Sequence, residues 1–254
     1  MMTLLRFLLI CIFAWTLPLT AVSQSLDDII ERYEAFAIAG DPDAAARAQD
    51  EDPSTWETVS PEHVANRAAE AADILTALEA LDAPSTGPET AILRHLLQAE
   101  VNAHRLDSAR VPFTGDWGFF AAPAFTAMRT RLITRDQAAA WIARLDDIPR
   151  YFDDQIANMR RGIDTGWTQH GDPLATSMAQ IRAQSQVEPG SHTLYLPFES
   201  LSAGALPRAE VDALQAEGLA AVARASEAYS RLLRFMETEY APAARSEPGL
   251  ATLE

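Results

Sequence analysis

The chain has 254 residues, 48 % of them apolar and 22 % charged, which is enough apolar material for one or two cores and too ordinary a charge content for a disordered chain. Its formal net charge of −16 is spread along the sequence, which argues against nucleic acid as a partner. Every basic side chain is arginine, so Schiff-base chemistry on a lysine is excluded outright.

The first stretch, Met1 to Gln24, carries one charge at Arg6, an apolar run from Phe7 to Leu17, then Pro18 and the small-residue pattern Ala21-Val22-Ser23. That order predicts a secretory signal peptide over residues 1–23, cut after Ser23, and hence a periplasmic or secreted protein. The competing reading is an uncleaved membrane anchor, but the run is short for a full span and Pro18 favours cleavage. Cys11 follows Ile10 inside the apolar run, whereas a lipidation site wants a small residue before it, so no lipoprotein anchor is expected. Cleavage removes the only cysteine, leaving the mature chain without disulfide, thiolate nucleophile or thiolate metal ligand. It also removes one of the 20 basic residues and none of the 36 acidic ones, for a charge of −17.

Leu26, Ile29, Ile30, Tyr33, Phe36 and Ala37 recur at the spacing of an amphipathic helix, which Gly40-Asp41-Pro42 stops. Ala44 to Thr58 is polar and acidic with Pro53 inside it, and reads as a mobile surface connection in which Trp56 docks. Ser60-Pro61 opens a second helix, a capping residue followed by proline in the first turn, running to about Leu81. A third spans Pro88 to about Leu106. Ser108 to Met128 is a loop rich in Gly, Pro and aromatic residues, too apolar to lie wholly in water.

Thr134-Arg135-Asp136-Gln137 forms a capping box for the next helix, with Trp141, Ile142 and Leu145 on one face. Ile148, Phe152, Ile156, Met159 and Ile163 repeat the pattern after Pro149. A shorter helix covers about Pro173 to Gln184, and Val187 to Phe198 reads as an extended connection. From Pro207 to Tyr240 the apolar spacing predicts one helix of roughly 34 residues, about 50 Å long, against a domain about 45 Å across. Its tail is therefore expected to need a covering surface. The fold expected is all-α, a multi-helix array with one long C-terminal helix, irregular aromatic-rich loops and no substantial sheet.

Specific strings add a resemblance. Arg144-Leu145, Pro149, Tyr151-Phe152, then Gln155-Ile156-Ala157-Asn158-Met159-Arg160, Gly162 and Gly166 resemble the bacterial domain-of-unknown-function family 885. A Tyr-x-Pro-Phe string is matched by Tyr195, Pro197 and Phe198, and Glu239 to Arg245 is familial too. The similarity is expected from about Leu26 to Leu250. It implies an exported helical protein related to zinc metallopeptidases, with a His-Glu motif on a helix in a second half. This chain reads as truncated before that half, so zinc is implied only for the missing part and no cofactor is expected here. Relatives follow the last glycine with a Pro-Arg pair, whereas this sequence has Gly166-Trp167-Thr168-Gln169-His170-Gly171.

A zinc-dependent hydrolase needs three protein ligands and a base, most economically supplied by His-Glu-x-x-His, and that string does not occur. Of the five histidines, His95 and His104 point to opposite faces of their helix. Glu100 and His104 share a face, but His104 continues the stripe of Leu93, Leu97 and Val101 and reads as a hydrogen-bonded histidine at the core edge. Asp146-Asp147 and Asp153-Asp154 read as surface charge. No nucleophile elbow or phosphate loop is present.

The expected site is thus without catalytic or metal-ligating residues. Candidates for lining a substrate cleft are Trp117 and Asp116 in the aromatic loop, Arg160, whose guanidinium suits a carboxylate, and Tyr195. Two functions are expected. The first is the non-catalytic N-terminal portion of a peptidase-like protein, one wall of a cleft for a peptide-like substrate, completed by a C-terminal catalytic half. The alternative is an exported helical interaction module that binds a protein partner. The first predicts apolar residues left facing water from Met236 to Glu254, the second a closed core and a polar terminus.

Overall fold

The computed structural model describes residues 24–81, 87–114, 117–201 and 206–246; the expected signal peptide, Asp116 and the last eight residues lie outside the described residues. The fold is all-α, as the periodicity predicts.

Helix α1 (Leu26–Gly40) opens on a complete capping box between Ser25 and Asp28. Asp41 caps α2 (Pro42–Ala48), accepting from the amides of Asp43 and Ala44, with Pro42 in the first turn. Ser60 caps α3 (Pro61–Glu79) and Pro88 starts α4 (Pro88–Arg105). Ile29, Phe36, Ala71, Ile74, Leu78, Leu93 and Leu97 close a first, smaller core among α1, α3 and α4.

The remaining helices build the larger core: α5 (Ala122–Arg129), α6 (Arg135–Asp146), α7 (Ile148–Asp164), α8 (Gly171–Gln186), the single turn α9 (Leu196–Glu199) and α10 (Arg208–Phe235). The capping box of Thr134 and Gln137 starts α6 as predicted. α10 is the axis of this layer, packing against α6, α7 and α8 through Val222, Ala225, Tyr229 and Leu232. The buried Tyr229 hydroxyl donates to the carbonyl of Phe120 at 2.8 Å, so burying the phenol leaves no polar group unpaired.

Four expectations change. The connection after residue 44 is not free: α2 continues to Ala48 and the following strap is pinned to α7, as described below. The aromatic loop folds into a two-residue antiparallel pair, Phe113–Thr114 with Trp117–Gly118, followed by a 3₁₀ turn and α5. The 187–198 segment is not extended; Pro189 and Pro197 each sit in the first turn of a helical piece, where a missing N–H costs nothing. Finally, α10 is 28 residues long and then widens into a π-helical turn, Met236–Tyr240, before a 3₁₀ turn, Ala241–Ala243. Phe235, at the end of α10, and Met236 and Tyr240 in the wider turn are all buried, so this part of the tail is covered by the chain itself.

Candidate functional site

The residues of the family-like string converge on structure rather than on a reacting centre. Trp56, 6 % exposed, stacks on Tyr151 and donates its indole N–H to the carbonyl of Arg144 at 2.8 Å. Its backbone N–H donates to Asp147 at 2.7 Å. Arg150 bonds both Asp147 and Asp154 and donates to the carbonyls of Trp56 and Glu57. One turn on, Asp154 accepts from the amide of Val59, and the fully buried Asn158 donates to the carbonyl of Val59 at 2.6 Å. Positions 147, 150, 154 and 158 lie along one face of α7, and together they replace the sheet partner that an extended strap lacks.

The two acidic pairs are therefore split. Asp146 and Asp153 are exposed, while Asp147 and Asp154 are mostly covered and bonded, because neighbours on a helix diverge by about 100°. Hydrogen bonds donated to Asp147, with the negative charges of Asp147 and Asp154, hold the Arg150 guanidinium more firmly protonated than usual. Burial, with Glu57 beside it, pushes the Tyr151 phenol well up, so it stays neutral.

The string's glycines have equally local reasons. A Cβ on Gly162 would lie 2.6 Å from the carbonyl oxygen of Trp167 and 2.9 Å from that of Arg110. Gly166 has φ +73°, the left-handed geometry that ends α7. Residues 168–171 clasp the 240–245 segment: Thr168 donates to the carbonyl of Ala243, Arg245 donates to that of Thr168, and the backbone N–H of Gln169 donates to the Tyr240 hydroxyl.

The cleft candidates do not meet. Trp117 is 57 % exposed and stacks on Phe125 at 4.6 Å, on the lip of a half-open cavity of about 430 Å³ between α5 and α8. Phe120 and Ala124 form its apolar lining, Met128 stands exposed at its edge, and Gln180, Gln184 and Thr193 add polar groups. Tyr195 follows Thr193 by two residues but stacks on Phe198, whose ring presses on Gly218; burial raises the phenol's pKa, with Glu199 adding to it. Arg160 lies on another face, forked onto Glu239 by two bonds of 2.8 Å, and that pairing lowers the carboxyl's pKa. Asp116 lies outside the described residues.

The histidines are dispersed. His95 and His104 are exposed on α4, so His104 is not at the core edge: Val101, partly buried, is the last residue of that stripe to pack against the smaller core. Glu100 instead pairs with Arg67. His170 caps α8 and His192 is buried, its Nδ1 accepting from the amide of Leu194 while Nε2 faces the carbonyl of Gln184 at 3.0 Å. No group of three or more His, Cys, Asp and Glu side chains gathers at metal-binding distance among the described residues, so they do not fit a zinc ion. None of the helices among the described residues is long and apolar enough to cross a membrane.

Two features escaped sequence reasoning. Arg231 and Arg234 line a groove beside Arg160, a juxtaposition that depends on how α7 crosses α10. The α7 ladder was hidden because its partner strap is about 90 residues distant in sequence, although the i, i+3, i+7, i+11 spacing of its polar residues was a usable signal.

No curated protein matches the chain. Among solved structures it is similar to "the putative lipoprotein from Colwellia psychrerythraea", with a TM-score of 0.65 at 16 % identity, over 89 % of this chain and 43 % of that one. The likeness is one of fold, and the chain spans less than half the length of that protein. The family model described as "Bacterial protein of unknown function (DUF885)" matches residues 42–252, beginning at α2 rather than at Leu26, and over that extent the chain belongs to this family.

Proposed function

We propose that this chain is the non-catalytic, N-terminal helical portion of an exported family protein, and that the trough beneath Trp117 is one wall of a cleft for a peptide-like substrate. The observation that carries the reading is the exposure of Trp117 and Met128, 57 % and 55 %, at the edge of a cavity already lined by Phe120 and Phe125. Apolar side chains gathered around a concavity gain about 25 cal/mol per Å² when a ligand covers them. Gln180 and Gln184 make no side-chain hydrogen bond among the described residues, so their amides are available to a peptide backbone. The greater length of the Colwellia protein is consistent with a further wall.

Zinc belongs in this reading only to that further portion, as the family resemblance implies, and no step is assigned to this chain's residues. The test mixes the mature chain with the C-terminal half of a longer family member and measures bound zinc and cleavage of a peptide library. Cleavage only in the mixture, lost on Trp117→Ala, is the expected result. Chelator-sensitive cleavage by the chain alone would sink it.

The second reading is an exported interaction module binding a protein partner. Burial of Phe235, Met236 and Tyr240 favours it, since that end of the long helix needs no further covering. Failure of the mixture to bind or cleave would leave it standing.

A further inference from the structure

Arg160 and Glu239 neutralise one another, but the groove of about 430 Å³ that they flank also receives Arg231 and Arg234. These two make no ion pair or side-chain hydrogen bond among the described residues. Three residues apart on α10, they project from the same helix face and can reach one planar group together. Phe235 and Ile156 are buried beneath the groove, and the Arg160 guanidinium lies 5.3 Å from the centre of the Phe235 ring. Asp153 is the remaining charge.

Three guanidinium groups against two carboxylates leave a local excess of one positive charge in a chain of net −16. That balance suits a single negative charge and disfavours a polyanion, which Asp153, Glu239 and the field of the whole chain repel. A carboxylate matches the donor fork of an arginine.

We infer that the groove between α7 and the end of α10 binds a singly charged organic carboxylate, its anion held by Arg231 and Arg234. The site shares no lining residue with the Trp117 trough and does not depend on it.

The test is NMR titration of the full mature chain with hydrocinnamate, its uncharged amide and inorganic phosphate. Saturable binding of hydrocinnamate is expected, with the amide and phosphate weaker by about tenfold or more. The double variant R231Q/R234Q should lose about tenfold in affinity, and R94Q, at an exposed arginine of α4, should lose nothing. Both arginines of the double variant are exposed, and an unchanged circular dichroism spectrum excludes unfolding as the cause. A tripeptide ending in free Phe that binds more tightly than hydrocinnamate would identify the anion as a peptide terminus; the reverse order would identify a small free acid. No saturable binding, equal binding of the amide, or a double variant that binds like the parent overturns the inference.

Discussion

The backbone N–H of Trp56 donates to the carboxylate of Asp147 at 2.7 Å, joining a strap before α3 to the start of α7 across 91 positions of sequence. The same indole donates to Arg144, lies under its guanidinium at 4.2 Å and stacks on Tyr151. Trp56→Ala should therefore cost about 3–5 kcal/mol through the cavity it leaves, and Trp56→Phe about 1–2 kcal/mol through the unpaired Arg144 carbonyl. Urea unfolding checks both values; no loss in Trp56→Phe would mean that the indole N–H contributes nothing.

With both strap-holding carboxylates removed, Asp147→Ala/Asp154→Ala should let residues 49–59 open while α6, α7 and α10 stay packed. Limited proteolysis read by mass spectrometry should find the first cut in that segment in the variant and not in the parent. A first cut within the helices instead would show that the strap is not separately held.

Gly162→Ala drives a methyl into two backbone carbonyls that cannot step aside, for a cost of about 2–3 kcal/mol. Gly166→Ala meets open space but a left-handed backbone, for about 1–2 kcal/mol. Thermal melting should rank the two in that order.

Burial lowers the His192 pKa from its ordinary 6.5, with the Gln184 carbonyl opposing more weakly. Because the unfolded chain binds the proton more readily, the stability owed to neutral His192 is complete above pH 6.5 and is lost as pH falls through the lower folded value. His192→Gln should be less stable at neutral pH and should flatten the stability curve just below pH 6.5, as measured by urea midpoints. An unchanged slope would place the titration elsewhere.

Trp117→Ala should change stability by less than about 1 kcal/mol, since over half of the side chain faces water. It should also remove the most red-shifted component of the tryptophan fluorescence, because Trp56 and Trp141 are buried and Trp167 lies against Arg110. A large loss of stability would make Trp117 a packing residue rather than the lip of a cleft.

The all-α architecture, the starts of α1, α3 and α6, and the presence of one long C-terminal helix were legible in the sequence because caps and 3.6-residue periodicity act over a few neighbouring residues. Family membership was legible in the string from Arg144 to Gly166. What that string does was not: Asp147, Arg150, Asp154 and Asn158 hold a strap some 90 residues away, and no local rule encodes which distant carbonyl a helix face will meet. The exposure of His104, the separation of Trp117 from Arg160, and the gathering of Arg231 and Arg234 beside Arg160 likewise depend on how whole helices cross. Helix formation is decided by hydrogen bonds and side chains within a turn or two, whereas a site is decided by the packing of cores that the chain completes only when its distant parts have come together.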